Sequence, residues 1–252
     1  MPQHLTLLTG SSRGLGAAIA GQLLSRDHAL LCLARGRNVS LADRATAQGL
    51  DCEQWQVDLA EPGAVVTRVQ EWLQGRDSTP LQSVTLINNA GVLSRIGPVD
   101  DCADEDLART MRVDLEAPMR LTAAFLRATR GWTAQRRVLN ISSGLGRRAM
   151  AGSASYCAAK AGLDHFSRAV ALDEAQRENG ARIVSLAPGV IDTDMQNELR
   201  GAEPAGFPDR GMFVKLKADG ALSSAHDAAR RILAYLRRAD FGSQVIADLR
   251  EA

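Results

Sequence analysis

The segment Thr9–Gly16, which reads T-G-S-S-R-G-L-G, does most to limit what this chain can become. An apolar run with β character, His4-Leu-Thr-Leu-Leu-Thr9, leads straight into it, and apolar residues at helical spacing (Leu15, Ile19, Leu23, Leu24) follow it. A strand that turns on glycines into a helix is the context in which a glycine motif becomes a credible dinucleotide site. In that setting Gly10 permits the tight turn, Gly14 lets the backbone approach a pyrophosphate, and Gly16 removes a side chain where helix meets sheet. The helix N-terminus then offers unpaired N–H groups to phosphate. The competing reading of the glycines is an ordinary turn and helix cap.

The rest of the chain continues the alternation. Strand-like runs at Leu5–Thr9, Ala29–Ala34, Glu53–Val57, Val84–Asn88, Val138–Ser142, Ile183–Ala187 and Gln244–Ile246 are separated by Ala/Leu/Arg-rich stretches. Those stretches are Arg13–Ser25, Leu41–Gln48, Gly63–Gln74, Asp104–Arg127, Tyr156–Glu178 and Asp227–Arg237. Seven strands with intervening helices predict an α/β Rossmann fold with one doubly wound parallel sheet. No Pro/Gly/Ser linker or internal repeat divides the 252 residues. A single domain is expected, with 1–135 mainly a cofactor-binding half and 136–252 the catalytic and substrate-binding half. Only 4% of residues are aromatic, so the core is expected to be aliphatic.

The chemistry concentrates between Ser143 and Lys160. Tyr156 and Lys160 are one helical turn apart, so on a helix they share a face. A free tyrosine has a pKa of about 10 and is a poor acid–base catalyst near neutrality. An adjacent ammonium favours the phenolate and lowers that pKa. Such a tyrosine can give a proton to a carbonyl oxygen or take one from an alcohol. Ser143, just past the apolar run Val138–Ile141, could hydrogen-bond the same oxygen. Taken alone, this pattern is most often a surface tyrosine and a solvated lysine.

It is not alone. The glycine turn, Asn88-Asn-Ala-Gly91 after an apolar strand, Ser143, Tyr156-x-x-x-Lys160 and Pro188-Gly189 followed by Thr193 stand in one order along the chain. Together they closely resemble the short-chain dehydrogenase/reductase family over essentially the whole length. The resemblance implies a catalytic set of Ser143, Tyr156 and Lys160. It also implies a nicotinamide cofactor held by Gly10, Ser12, Arg13, Gly14, Leu15, Gly16, Asp58, Leu59, Asn89, Ala90, Gly91, Tyr156, Lys160, Pro188, Gly189 and Thr193. In that frame Asp58 contacts the adenine and Thr193 anchors the nicotinamide amide. Asp58 can equally be read as a helix N-cap ahead of Pro62.

An acidic residue about 20 residues beyond the glycines usually holds a ribose 2′-OH. Here the second strand ends Leu33-Ala34-Arg35-Gly-Arg37, with arginine in place of the acid. Guanidinium groups bind a 2′-phosphate through charge-assisted, often bidentate hydrogen bonds. Arg35, with Arg13 as a second candidate, therefore points to NADP(H).

One position departs from the family pattern. Relatives often carry Asn in the long central helix, where this chain has Val113-Asp114-Leu115. The resemblance implies that this position's backbone carbonyl holds a water on a proton path from Lys160 to solvent. Asp114 then either sits ionised near Lys160, as part of the catalytic set, or simply faces solvent.

The tail resembles the sepiapterin reductase group within the family, through Asp192–Gln196, Leu216–Leu222 and Phe241–Asp248. That implies Asp248 as a substrate anchor, with Ser143, Cys157, Met195 and Gln196 around the substrate. The aromatic wall of a pterin site is unmatched, since Met150 and Ser153 stand in its place. Bacterial relatives of similar pattern reduce small diketones.

The remaining features bound the function. A net charge of +1 argues against a polyanion as main partner. The arginine pairs Arg136–Arg137, Arg230–Arg231 and Arg237–Arg238 read as solvated faces, and Arg147–Arg148 less readily so, since it sits between Ser143 and Tyr156. There is no signal-peptide pattern and no apolar run near the length of a membrane span. Cys32, Cys52, Cys102 and Cys157 lack zinc or redox spacing and suit reduced, mostly buried thiols in a cytosol. The four histidines form no metal motif. The expectation is a cytoplasmic NADPH-dependent carbonyl reductase acting on a ketone or diketone. An NADP-dependent alcohol dehydrogenase and a non-catalytic cofactor-binding sensor are the alternatives. A homodimer or homotetramer is expected through Asp104–Arg127 and Tyr156–Glu178, whose apolar and alanine positions exceed one sheet-facing stripe.

Overall fold

A computed structural model describes residues 1–251. Among them, seven strands form one parallel sheet in the order β3-β2-β1-β4-β5-β6-β7. The strands are β1 His4–Thr9, β2 His28–Ala34, β3 Cys52–Gln56, β4 Ser83–Asn88, β5 Gln135–Ile141, β6 Arg182–Ala187 and β7 Ile246–Asp248. The order reverses between β1 and β4, and it is at such a switch point that ligands bind, beyond the carboxyl ends of the strands. This is the doubly wound Rossmann architecture expected from the alternating pattern.

Both faces of the sheet are covered, which is why its strands read as continuous apolar runs rather than alternating ones. Helices α1 (Gly14–Leu23), α2 (Val39–Gln48) and α9 (Ala225–Leu236) pack Ile19, Leu41 and Ile232 against Leu8, Leu30 and Leu139 on one face. Helices α3 (Pro62–Gln74) and α5 (Ala117–Ala128) pack Val69, Leu121 and Phe125 against Leu7, Leu31 and Val138 on the other. Successive strand residues point to opposite faces, so Leu7 and Leu8 fall into different clusters.

Four elements differ from the sequence expectation. The long helix expected at Asp104–Arg127 is divided into α4 (Asp104–Met111), a π-helical turn at Arg112–Glu116, and α5. The last strand lies two residues later than Gln244–Ile246, because Ile246, Ala247 and Asp248 are the residues that pair with Ser185, Leu186 and Ala187. Two short helices were not anticipated: α7 (Asp194–Gly201) and α8 (Arg210–Ala218). They bury only Gln196 and Leu199, and Phe213, respectively. With Met150 and Phe207, Leu199 and Phe213 form a small apolar cluster of their own above the sheet. The remaining long helix, α6 (Ala154–Ala175), lies where the Tyr-x-x-x-Lys pattern placed it.

Candidate active site

The turn after β1 is built for close approach. Gly10 has φ +70°, and a Cβ there would meet the Ala90 Cα at 2.8 Å. A Cβ on Gly16 would lie 2.1 Å from the Gly10 carbonyl oxygen. Asn89, at the end of β4, fixes this arrangement. Its backbone N–H donates to Thr9 Oγ1 at 2.9 Å, and its side-chain amide donates to the Thr9 carbonyl at 3.0 Å. The glycine turn and the end of the neighbouring strand are thus locked together across the switch point.

A single cleft opens above these ends. Gly10, Ser12, Arg13, Gly14, Leu15, Gly16, Arg35, Asp58 and Leu59 line one part of it, and Asn89, Ala90, Gly91, Pro188, Gly189 and Thr193 line its centre. Ser143, Tyr156, Lys160, Met195 and Gln196 line the rest. Asp58 caps a turn rather than helix α3: its Oδ1 accepts from the Ala60 N–H at 2.9 Å, and Glu61 takes the N-cap position. Cys157 is absent from the lining and packs instead against the cluster of Met150, Phe207 and Phe213.

These residues suit a dinucleotide. Helix α1 begins at Gly14 with no side-chain cap and no acidic residue in its first turn, so its N–H groups are free to face an anion. Arg13 and Arg35 are the cleft's cations at that end, and no carboxylate terminates β2. Arg13 also bridges Asp194 at the start of α7 at 2.9 Å, spanning the two sides of the cleft.

Tyr156 and Lys160 occupy one buried face of α6. The Lys160 Nζ lies 5.4 Å from the centroid of the Tyr156 ring and donates to the Ile141 carbonyl at 3.2 Å. The expected lowering of the tyrosine pKa is not the net result. Burial raises it and outweighs the pull of the Lys160 ammonium; Asp114 raises it further, and a hydrogen bond with Ser143 lowers it. Ser143, two residues past the end of β5, is the N-cap of a short 3₁₀ turn, where its Oγ accepts from the Leu145 N–H at 3.2 Å. A Cβ on Gly146 in that turn would sit 2.9 Å from the Lys160 backbone, which brings the serine loop hard against α6.

Asp114 does not face solvent. It lies in the π-helical turn with no exposed surface, and its Oδ2 is 3.3 Å from Lys160 Nζ. Its Oδ1 accepts from the Val92 N–H at 2.8 Å. Burial lowers the Lys160 pKa, but Asp114 and Tyr156 raise it more, so the net direction is upward and the ammonium is held charged. π-Turns inside α-helices are often found at functional sites; here the turn delivers a carboxylate to the lysine.

Asp248, expected as a substrate anchor, is paired with arginines away from the cleft lining. Its side chain is 5% exposed and both oxygens are taken by Arg250, through Nε at 2.9 Å and Nη2 at 2.6 Å. Arg147 approaches to 3.9 Å. Asp248 does not line the cleft, whereas Arg250 does. The sequence reading also passed over Asp164, one turn beyond Lys160 on α6. Buried, it accepts from Ser142 and Ser185 hydroxyls at 2.6 Å each and from Arg147 at 3.1 Å, and so braces the floor below Ser143. Its spacing, four residues after Lys160, was the available signal.

The cysteines are less buried than expected. Cys32 is buried, while Cys52, Cys102 and Cys157 are partly exposed, and all four are free thiols. Among the described residues no helix is long and apolar enough to cross a membrane, and no cluster of potential metal ligands occurs.

Comparison with known proteins agrees with the geometry. Residues 4–204 match the short chain dehydrogenase family. A benzil reductase ((S)-benzoin forming) from Bacillus cereus is 34% identical over 93% of this chain and 94% of its own. Mouse (Mus musculus) sepiapterin reductase is 32% identical over 96% and 95%. A crystal structure of a short-chain dehydrogenase/reductase from Burkholderia vietnamiensis is 34% identical and covers 100% of both chains with a TM-score of 0.64. With a doubly wound sheet, a glycine turn at its switch point and a serine, tyrosine and lysine gathered at the same cleft, the chain belongs to the short-chain dehydrogenase/reductase family of oxidoreductases.

Proposed function

We propose that this protein is an NADPH-dependent carbonyl reductase acting on apolar ketones or diketones. The observation that carries the reading is the burial of Tyr156 and Lys160 on one face of α6, in the same cleft as Ser143 and the glycine turn. Bound NADPH supplies a hydride to the carbonyl carbon. The protein's own residues handle everything else. Tyr156 gives its phenolic proton to the carbonyl oxygen. Ser143 accepts from Leu145 with its Oγ and keeps its O–H to donate to that oxygen. Lys160, kept charged by Asp114, stabilises the phenolate as the proton leaves. Arg35 and Arg13 hold the 2′-phosphate.

Burial raises the Tyr156 pKa and keeps the phenol protonated. A protonated phenol is the form that gives its proton to a carbonyl oxygen. Leu93, Leu145, Met195, Leu199 and Phe213 give the substrate end an apolar wall. The names of the Bacillus and mouse relatives, both reductases of carbonyl compounds, support the same class. The four free thiols suit a reducing compartment such as the cytosol.

The test is NADPH consumption with an aryl 1,2-dione by wild type and Tyr156→Phe. The variant is expected to lose about 10²–10⁴-fold in kcat while still binding NADPH. Turnover by the variant close to wild type would remove Tyr156 from the mechanism.

A further inference from the structure

We propose that Arg250 selects the substrate by donating to an acceptor group vicinal to the reacting carbonyl, and that by holding Asp248 it closes the site to substrates recognised through N–H donors. The proposal rests on the carbonyl reductase reading and names the substrate class: ketones bearing a neighbouring carbonyl oxygen or carboxylate.

The placement of Arg250 follows from the end of the sheet. β7 pairs Asp248 with Ala187 on β6, and the ladder continues as the Leu249 N–H donates to the Ala187 carbonyl at 3.0 Å. Arg250 therefore emerges beside the Pro188-Gly189 turn, and its Cγ lies 3.8 Å from where a Cβ on Gly189 would be. Its Nη2 lies 3.8 Å from where a Cβ on Gly144 would be. Gly144 directly follows Ser143, so the guanidinium lies beside the loop that carries Ser143. The segment is held rather than loose: Arg231 of α9 donates to the Leu249 carbonyl, and the Glu251 N–H donates to the Asp248 carbonyl at 3.0 Å.

The charge pattern decides what such a group can read. Nε and Nη2 of Arg250 are engaged by Asp248, leaving Nη1 and the second Nη2 hydrogen as donors. The side chain remains 60% exposed while Asp248 is buried beneath it. An N–H-bearing ring would need a carboxylate facing the cleft, and this one is already spent on Arg250 and Arg147. A carbonyl oxygen or carboxylate beside the reacting carbon finds a donor instead. A second polar side chain belongs to the wall of the same cleft. Gln196 is buried at the cleft wall, and its Oε1 has no partner among the described residues. A side-chain amide can turn either end to a ligand.

The experiment compares kcat/KM with NADPH for four ketones in wild type and Arg250→Met: 1-phenylpropane-1,2-dione, phenylglyoxylate, acetophenone and a pterin ketone. Unfolding temperature and NADPH affinity of the variant serve as folding controls. Wild type is expected to favour a vicinal acceptor over acetophenone. The variant is expected to lose about ten- to hundredfold on the acceptor-bearing substrates, the worth of a charge-assisted hydrogen bond, with acetophenone nearly unchanged. It should also gain on the pterin, because Asp248 loses its bidentate partner and keeps only Arg147 at 3.9 Å. A loss on the dione alone identifies a neutral carbonyl as the group read, and a loss on phenylglyoxylate alone identifies a carboxylate. Equal losses on all substrates, or no change on any, would overturn the role of Arg250 while leaving the reductase reading intact. Absence of ketone turnover by wild type would overturn both.

Discussion

Lys160 Nζ lies 3.3 Å from Asp114 Oδ2, and the carboxylate has no solvent exposure. The lysine beside Tyr156 therefore has a buried carboxylate as its dedicated partner. Its effect is transmitted to Tyr156, whose pKa is raised by burial first, lowered by Lys160 and raised again by Asp114.

Asp114→Asn tests that coupling. The amide oxygen can still accept from Val92, but the negative charge is gone. The Tyr156 pKa is expected to fall. Because reduction needs the protonated phenol, the alkaline limb of the kcat/KM–pH profile should move to lower pH. An alkaline limb that stays in place would show that Asp114 serves packing alone.

Cofactor choice is expected to follow the arginines. Arg35→Asp replaces attraction to a 2′-phosphate by repulsion and should reduce the NADPH/NADH ratio of kcat/KM by at least about tenfold. Asp194→Asn frees Arg13 from its 2.9 Å bridge and should strengthen NADPH binding modestly, since an exposed pair is worth about 1 kcal/mol or less. Steady-state kinetics with both cofactors reads the first effect, and fluorescence titration of NADPH reads the second. An unchanged ratio in Arg35→Asp would dismiss Arg35 as the phosphate ligand.

Acid sensitivity should originate at the opposite end of the sheet. His28, on β2, bonds Thr6 Oγ1 through Nε2 at 2.8 Å. Burial, and then the neighbouring His4, lower its pKa to about 4. The unfolded chain, with a histidine pKa of about 6.5, binds more protons than the folded one between these values. Stability should thus be unaffected above about pH 6.5 and fall as pH drops towards 4, by about 3 kcal/mol for this group. Urea unfolding of wild type and His28→Gln across that range checks it. The variant should show a shallower acid decline, and parallel curves would exclude His28 as the source.

Self-association is expected through the outer surfaces of α5 and α6. Both carry exposed apolar side chains, Met119 at 39% and Leu172 at 70%. Closed two-fold symmetry is the commonest arrangement for such surfaces. Light scattering at micromolar concentration should give a dimer or tetramer mass, and Leu172→Glu should shift it towards monomer. A monomer mass for wild type would contradict the expectation.

Much of this protein was legible in its sequence because the signals are local. Glycine between strand and helix, a parallel sheet written as apolar runs, and Tyr156 and Lys160 one turn apart each depend on neighbours along the chain. The architecture and the residues gathered at the cleft follow from such patterns. Helices α7 and α8 were not legible, because each is short and buries only one or two residues. The fate of the carboxylates was also beyond reach of the sequence. Asp114 could as well have faced solvent; only the π-turn rotates it onto Lys160. Asp248 had the position of a substrate anchor, but Arg250 and Arg147, the latter about a hundred residues away in the chain, take its charge. Local pattern sets where the backbone goes, because hydrogen bonding and burial act element by element. Which charge meets which is decided by long-range packing, and that pairing leaves Arg250 rather than Asp248 lining the cleft.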